Sequence, residues 1–206
     1  MFISIDFVFD PAHRKYPQPA ASSHYTTEGY GGKKRQCEML FHAAADRLPY
    51  TIIRPCHIYG PGSQLGCLPL HGRDVDLIAK LRRGETLSLV GGGHFLQQPI
   101  FAADLAKIMI ACAGNEKTTG KTYLTAGPDV IESKQYYEII ADHLGLPIKI
   151  HEAPLDAYLA EHPEHIAFLC HRIYDLSALK TDGLPTPATS ITEGLKQHTD
   201  ALLLKN

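Results

Sequence analysis

Tyr30 and Lys34 stand four residues apart in the run GYGGKKRQCEMLFHAAADR, so on a helix they project from one face about one turn from each other. A tyrosine near its ordinary pKa of about 10 is a poor base at neutral pH. An ammonium group beside it stabilises the phenolate and fits the pair for taking a proton from a hydroxyl. The same spacing describes a solvated helix start with the basic cluster Lys33, Lys34 and Arg35, so the surrounding elements decide how it reads.

Those elements alternate. FISIDFVF, stopped by Asp10 and Pro11, is a continuous apolar and β-branched run, which predicts a strand buried on both faces with sheet neighbours on both sides. After a polar loop comes the Tyr30 helix, whose Cys37, Leu40, Phe41, Ala44 and Leu48 recur at helical spacing and predict its inward face; Pro49 ends it. YTIIRPCHIYG predicts a second strand, and GPGSQLGCLPLHG a loop. A helix over 74–83 closed by Gly84, a strand over 86–90, a short PIF segment, a helix over 104–113, the strand KTYLT and the helix SKQYYEIIADHLG continue the pattern. This order predicts an α/β fold with a parallel sheet. From Pro147 onward short helices and Pro-rich turns are expected, with Ser190-Ile-Thr-Glu193 as a capping box for the last helix.

The 206 residues suffice for one domain with a small satellite. A formal net charge of -2 without a basic excess gives no reason to expect a nucleic-acid partner. Five widely spaced cysteines with no CxxC pair read as free thiols of a reducing cytoplasm. No run approaches the roughly 20 apolar residues of a membrane helix. Cys67-x-x-x-His71, and His162-x-x-His165 with His171, come nearest to a metal pattern, but neither completes a zinc set and no metal is expected.

Four segments taken in order resemble the extended short-chain dehydrogenase/reductase family, of the NAD-dependent epimerase/dehydratase kind. FISIDFVFD is similar to its strand ending in Ser/Thr-x-x-Val-Tyr-Gly, Tyr30-x-x-x-Lys34 is followed by RPCHIYGPG in place of its RPxxxYGPG, FLQQPIFAADLA resembles its R-x-F-x-x-V-x-D segment, and YDLSALKTDGLPTPATSITEGL its C-terminal stretch. The resemblance implies a partial Rossmann-like, doubly wound parallel sheet over 1–130, with interleaved substrate segments, and a smaller α/β substrate lobe over 131–206. It implies Tyr30 as general base and Lys34 on the nicotinamide ribose of NAD or NADP. Pro55, Cys56 and His57 would border the nicotinamide, and His57 the sugar or nucleotide-sugar-like substrate. Pairing into a homodimer through the Tyr30 helix and its neighbour is also implied.

The departures are specific. Ile5 stands where the family carries its helper Ser/Thr, so that Ser4 would serve only through a register shifted by one residue. Asp6 matches the acid of the dehydratase branch, but Phe7 replaces the Glu that follows it. Gln97 occupies the position of an Arg that binds substrate pyrophosphate. The family's G-x-x-G-x-x-G turn is absent from this sequence, and GPGSQLG and GGGH read as turns. A dinucleotide half of roughly a hundred residues is therefore expected to precede this stretch. The reading is an NAD(P)-dependent epimerase, dehydratase or reductase; a non-catalytic relative serving as a binding or assembly module is the alternative.

Overall fold

The computed structural model describes residues 1–67 and 73–204. Its main sheet is parallel, in the order β1 (Phe2–Ile3), β2 (Thr51–Pro55), β7 (Lys121–Thr125), with α1 (Gly29–Ala43) crossing between β1 and β2. Every residue of β2 is buried, as expected of a central parallel strand. Beyond β2 the chain forms β3 (Ile58–Tyr59), which pairs in parallel with β6 (Ile100–Phe101). Between them lie α2 (Leu77–Arg82), β4 (Thr86–Val90) and β5 (Leu96–Gln97). Next come α3 (Ala102–Cys112), β7, β8 (Ile131–Glu132), which pairs antiparallel with β5, and α4 (Ser133–His143). β9 (Lys149–Ala153), α5 (Leu155–Glu161), α6 (Ser177–Thr181) and α7 (Ile191–Leu203) complete the chain. The α/β class with parallel pairing is as the alternation predicts.

Two apolar cores form. One joins Val8, Ile53, Ile100, Ile108, Tyr123 and Leu179 around the main sheet, and the other joins Tyr59, Leu81, Leu89, Tyr136, Ile140 and Leu195 beneath β4, α4 and α7. Chain order and core membership are interleaved, since Phe101 and Leu105 are close in sequence but belong to different cores. Asp104 ties the layers together: its carboxylate accepts from the Ala188 and Thr189 amides at 3.0 and 2.8 Å and pairs with Lys107. These donors overcome its burial and hold its pKa down to about 2.

Three expectations are corrected. FISIDFVF is not a continuous doubly buried strand: β1 has two half-buried residues, its last ladder-like bond is Ser4 N–H to Ile53 O at 2.8 Å, and Asp6–Val8 is a 3-10 turn. The cause is Asp6, whose carboxylate must find a partner once buried and turns toward Arg172 and Tyr174. The inward face of α1 is not its apolar stripe. Leu40 is 71% exposed, whereas Glu38 is completely buried and bound through both oxygens, at 2.7 Å each, to Arg54 of β2. Burial opposes ionisation of Glu38, but the Arg54 guanidinium outweighs it and holds the carboxyl below its ordinary range. The segment after Pro147 is not all helix and turn, because β9 pairs in parallel along the whole length of β4.

The terminal helix starts as the sequence predicts at Ser190, whose Oγ accepts from Glu193 N–H at 3.2 Å. Glu193 turns instead to Gln197, so half of the capping box forms. Cys37, Cys56, Cys112 and Cys170 are free thiols. Among the described residues no helix is long and apolar enough to cross a membrane.

Candidate functional site

A cavity of about 520 Å³ opens beyond the carboxyl ends of β1 and β2, where open parallel sheets place their ligands. Residues from five separate stretches line it: Ile3 to Phe7 from the end of β1 onward, Tyr30 and Lys34 from the first turns of α1, Pro55 to Ile58 from the end of β2 onward, Arg73, and Phe168. Ser4, Asp6, Tyr30, Lys34, Pro55, Cys56 and His57 are thereby gathered around one space. Gln97 is not among its walls; it is buried in β5, with both side-chain polar atoms lacking a partner within the described residues.

Tyr30 is 60% exposed, with its ring at the cavity mouth. Lys34 donates to Ile3 O at 2.8 Å, and its ammonium lies 5.0 Å from the Phe2 ring and 5.9 Å from the Tyr30 ring. The strand end thus holds the lysine beside the tyrosine. The helix can come this close to the β1 turn because residue 31 is glycine: a Cβ there would lie 2.0 Å from Phe7 O. Gly32 does the same against the Thr27 backbone. These glycines serve packing between helix and loop.

The floor is apolar and closed. Cys56 donates its thiol to Gln98 O at 2.8 Å, and burial pushes its pKa well above the ordinary value, so it is a wall residue without thiolate character. His57, half-buried and edge-on to Tyr136, is brought down to about 4 by burial first and by Arg73 second. It is neutral at physiological pH. Ser4 is buried with its hydroxyl toward the Glu38 carboxylate, whose charged form it favours without completing hydrogen-bond geometry. Asp6 is locked in a buried network, with Oδ2 accepting from Arg172 and Tyr174 and Arg14 3.8 Å away. Arg172 also lies 4.2 Å from the Phe7 ring.

Arg73, Phe168 and Arg172 escaped the reading of the sequence. Arg73 falls between the turn-rich loop and the helix expected over 74–83, where no periodicity marks it. Phe168 and Arg172 lie more than 160 positions from the turn they meet at Phe7 and Asp6. The one available signal was Asp6 itself, a carboxylate inside an apolar run that needs a distant cation. Of the suggested metal ligands, His71 lies outside the described residues, and His171 Nδ1 accepts from Leu96 N–H at 3.0 Å, away from any ligand group. His162 and His165 do come together, with Glu164 between them.

Fold and cavity define an α/β chain of the Rossmann-like kind. Residues 1–126 match the model of the NAD dependent epimerase/dehydratase family, and the chain belongs to that family. A search of curated proteins finds no match. Among solved structures it is similar to the UDP-glucose 4-epimerase of Thermotoga maritima with UDP-glucose (19% identity, TM-score 0.79, covering 99% of this chain and 63% of that one). It is likewise similar to the UDP-N-acetylglucosamine 4-epimerase of Methanobrevibacter ruminantium M1 in complex with UDP-N-acetylmuramic acid (18%, 0.81, 100% and 63%). A third is the UDP-glucuronic acid 4-epimerase of Bacillus cereus in complex with UDP-glucuronic acid and NAD (18%, 0.75, 99% and 61%). The chain spans less than two thirds of the length of each.

Proposed function

We propose that the chain carries the catalytic Tyr-Lys helix and the nicotinamide side of an NAD(P)-dependent epimerase, dehydratase or reductase acting on a sugar or nucleotide-sugar-like substrate. The observation that carries this reading is the convergence of Tyr30, Lys34, Pro55, Cys56 and His57 on one cavity at the ends of β1 and β2. Its walls of Ile3, Ile5, Phe7, Pro55, Ile58 and Phe168 suit a flat nicotinamide ring, while Lys34 supplies a cation for the ribose. Among the described residues no glycine-rich turn from strand to helix is found for the pyrophosphate; Gly31 and Gly32 are filled by backbone, and Gly91 to Gly93 form a tight turn of positive φ. The fit is therefore to the nicotinamide half.

When bound, the dinucleotide supplies a hydride acceptor. This chain's own residues do the rest. Tyr30 takes the proton from the substrate hydroxyl, and Lys34, held by Ile3 O, stabilises the phenolate. Neutral His57 can accept a hydrogen bond from a second hydroxyl or donate one to an oxygen. Arg73 gives the cavity a second cation, suited to the phosphate of a nucleotide-sugar-like substrate. Ile5 offers no hydroxyl, so proton transfer rests on Tyr30 alone, and the Asp6 carboxylate is committed to Arg172 and Tyr174.

Isothermal titration of the chain with NAD+ and with NADP+ tests the reading. Binding of either, weakened about tenfold or more by Tyr30→Phe combined with Lys34→Ala, is the expected result. Equal binding by the double variant contradicts it. One observation favours the alternative of a non-catalytic relative: Lys34 is already engaged with Ile3 O. That alternative predicts that neither dinucleotide binds.

A further inference from the structure

The end of α5 and the turn after it gather three metal-ligating side chains apart from the cavity. His162 N–H donates to Tyr158 O at 2.8 Å, and His165 N–H donates to His162 O at 3.0 Å, opening the 3-10 turn Pro163–Phe168. His162 caps the turn, three residues before His165. The His162 and His165 rings stack, with centroids 5.1 Å apart and planes 20° from parallel. Glu164 reaches across, with Oε1 3.7 Å from His162 Nδ1 and 3.4 Å from His165 Nε2. One ligand atom from each residue lies within 4.8 Å of the others.

We propose that His162, Glu164 and His165 bind one divalent transition-metal ion, with Zn2+ the best match to two imidazoles and a carboxylate. Metal bonds of about 2.0–2.1 Å in a tetrahedral site set neighbouring ligand atoms roughly 3.3–3.5 Å apart. The His165–Glu164 separation meets this as it stands, and the His162–Glu164 separation needs to close by a few tenths of an ångström. His165 also has the outer partner such ligands use: its Nδ1 lies 2.8 Å from Tyr158 Oη, and donation there leaves the Nε2 lone pair toward the site. Three protein ligands leave the fourth position for water.

The ion would act on the cavity wall. Two residues beyond His165, Ala167 O accepts from Arg172 at 2.7 Å, and Phe168 next to it lines the cavity against Phe7. Metal at the turn therefore fastens the segment that carries Phe168. This inference stands apart from the dinucleotide reading.

The test is titration of ZnCl2 into the full chain after chelator treatment and dialysis, followed by calorimetry. One site per chain is expected, lost or weakened at least roughly tenfold in His162→Gln/His165→Gln and in Glu164→Gln, and unchanged in His171→Gln. All four side chains lie at or near the surface, and circular dichroism of each variant confirms the fold. No Zn2+ binding by the wild-type chain, unchanged affinity in the double variant, or loss in His171→Gln would each overturn the proposal.

Discussion

His57 illustrates how position sets chemistry at this site. Burial in the cavity wall and the nearby Arg73 bring its pKa down to about 4, so it enters the physiological range as a neutral imidazole able to donate and accept at once. The sign for stability follows from the depressed value. The unfolded chain binds this proton near pH 6.5, the folded one near 4, so stability contributed by neutral His57 is full above 6.5 and is lost as pH falls toward 4. An NMR titration of the His57 ring should give a midpoint near 4, and a midpoint above 6 would show an exposed imidazole. At this scale the sequence was informative about local neighbours: Pro55, Cys56 and His57 follow one strand, and Tyr30 and Lys34 share one helix face. Arg73 and Phe168 at the cavity, and Arg172 on the Asp6 carboxylate, were illegible because tertiary folding alone brings them there.

Helix α1 is held to the sheet by charge where its pattern suggested grease. Arg54 sits on a strand buried throughout, and its guanidinium is met by Glu38 from α1, by Ala20 O at 2.6 Å and by the rings of Phe9 and Tyr25. Removing one partner strands a buried charge, so Glu38→Ala should cost about 3–5 kcal/mol in denaturant unfolding. The paired replacement Glu38→Leu/Arg54→Met should cost much less. Equal losses in the two would show that packing, not the ion pair, fastens the helix. The same logic applies to Asp104, whose carboxylate near pKa 2 pins residues 188–189 to α3. Its contribution is present above the unfolded value near 3.8 and is lost as pH falls through 2, amounting to about 2 kcal/mol. Asp104→Asn should lower stability at neutral pH by about that amount and flatten the acid limb of the unfolding curve. Helical periodicity located α1 to within a few residues but misassigned its buried face, because a spacing rule weighs apolar residues and cannot see a carboxylate claimed by an arginine 16 positions away. β9 was missed for a related reason: an edge strand with Lys149, His151 and Glu152 largely in water lacks the apolar run that marks a buried strand.

For the molecule as a whole, the order of elements was enough to read the class, since alternating strands and helices have few ways to bury both sheet faces. What the order did not give is the interleaving, in which β3, β4, α4, β9 and α7 leave the main sheet's core to build a second one. The cavity lies where β1 and β2 end, with the Tyr30 helix on one side and the segment carrying Phe168 on the other. Residues from five separate stretches meet there, and the proposed function requires that the nicotinamide of a dinucleotide is received at that meeting place. The direct measurement is chemical-shift mapping of the isotope-labelled chain on addition of NAD+ or NADP+. The largest perturbations are expected on Ser4, Lys34, Cys56 and His57. Perturbations confined to other surfaces, or none with either dinucleotide, would contradict the proposed function.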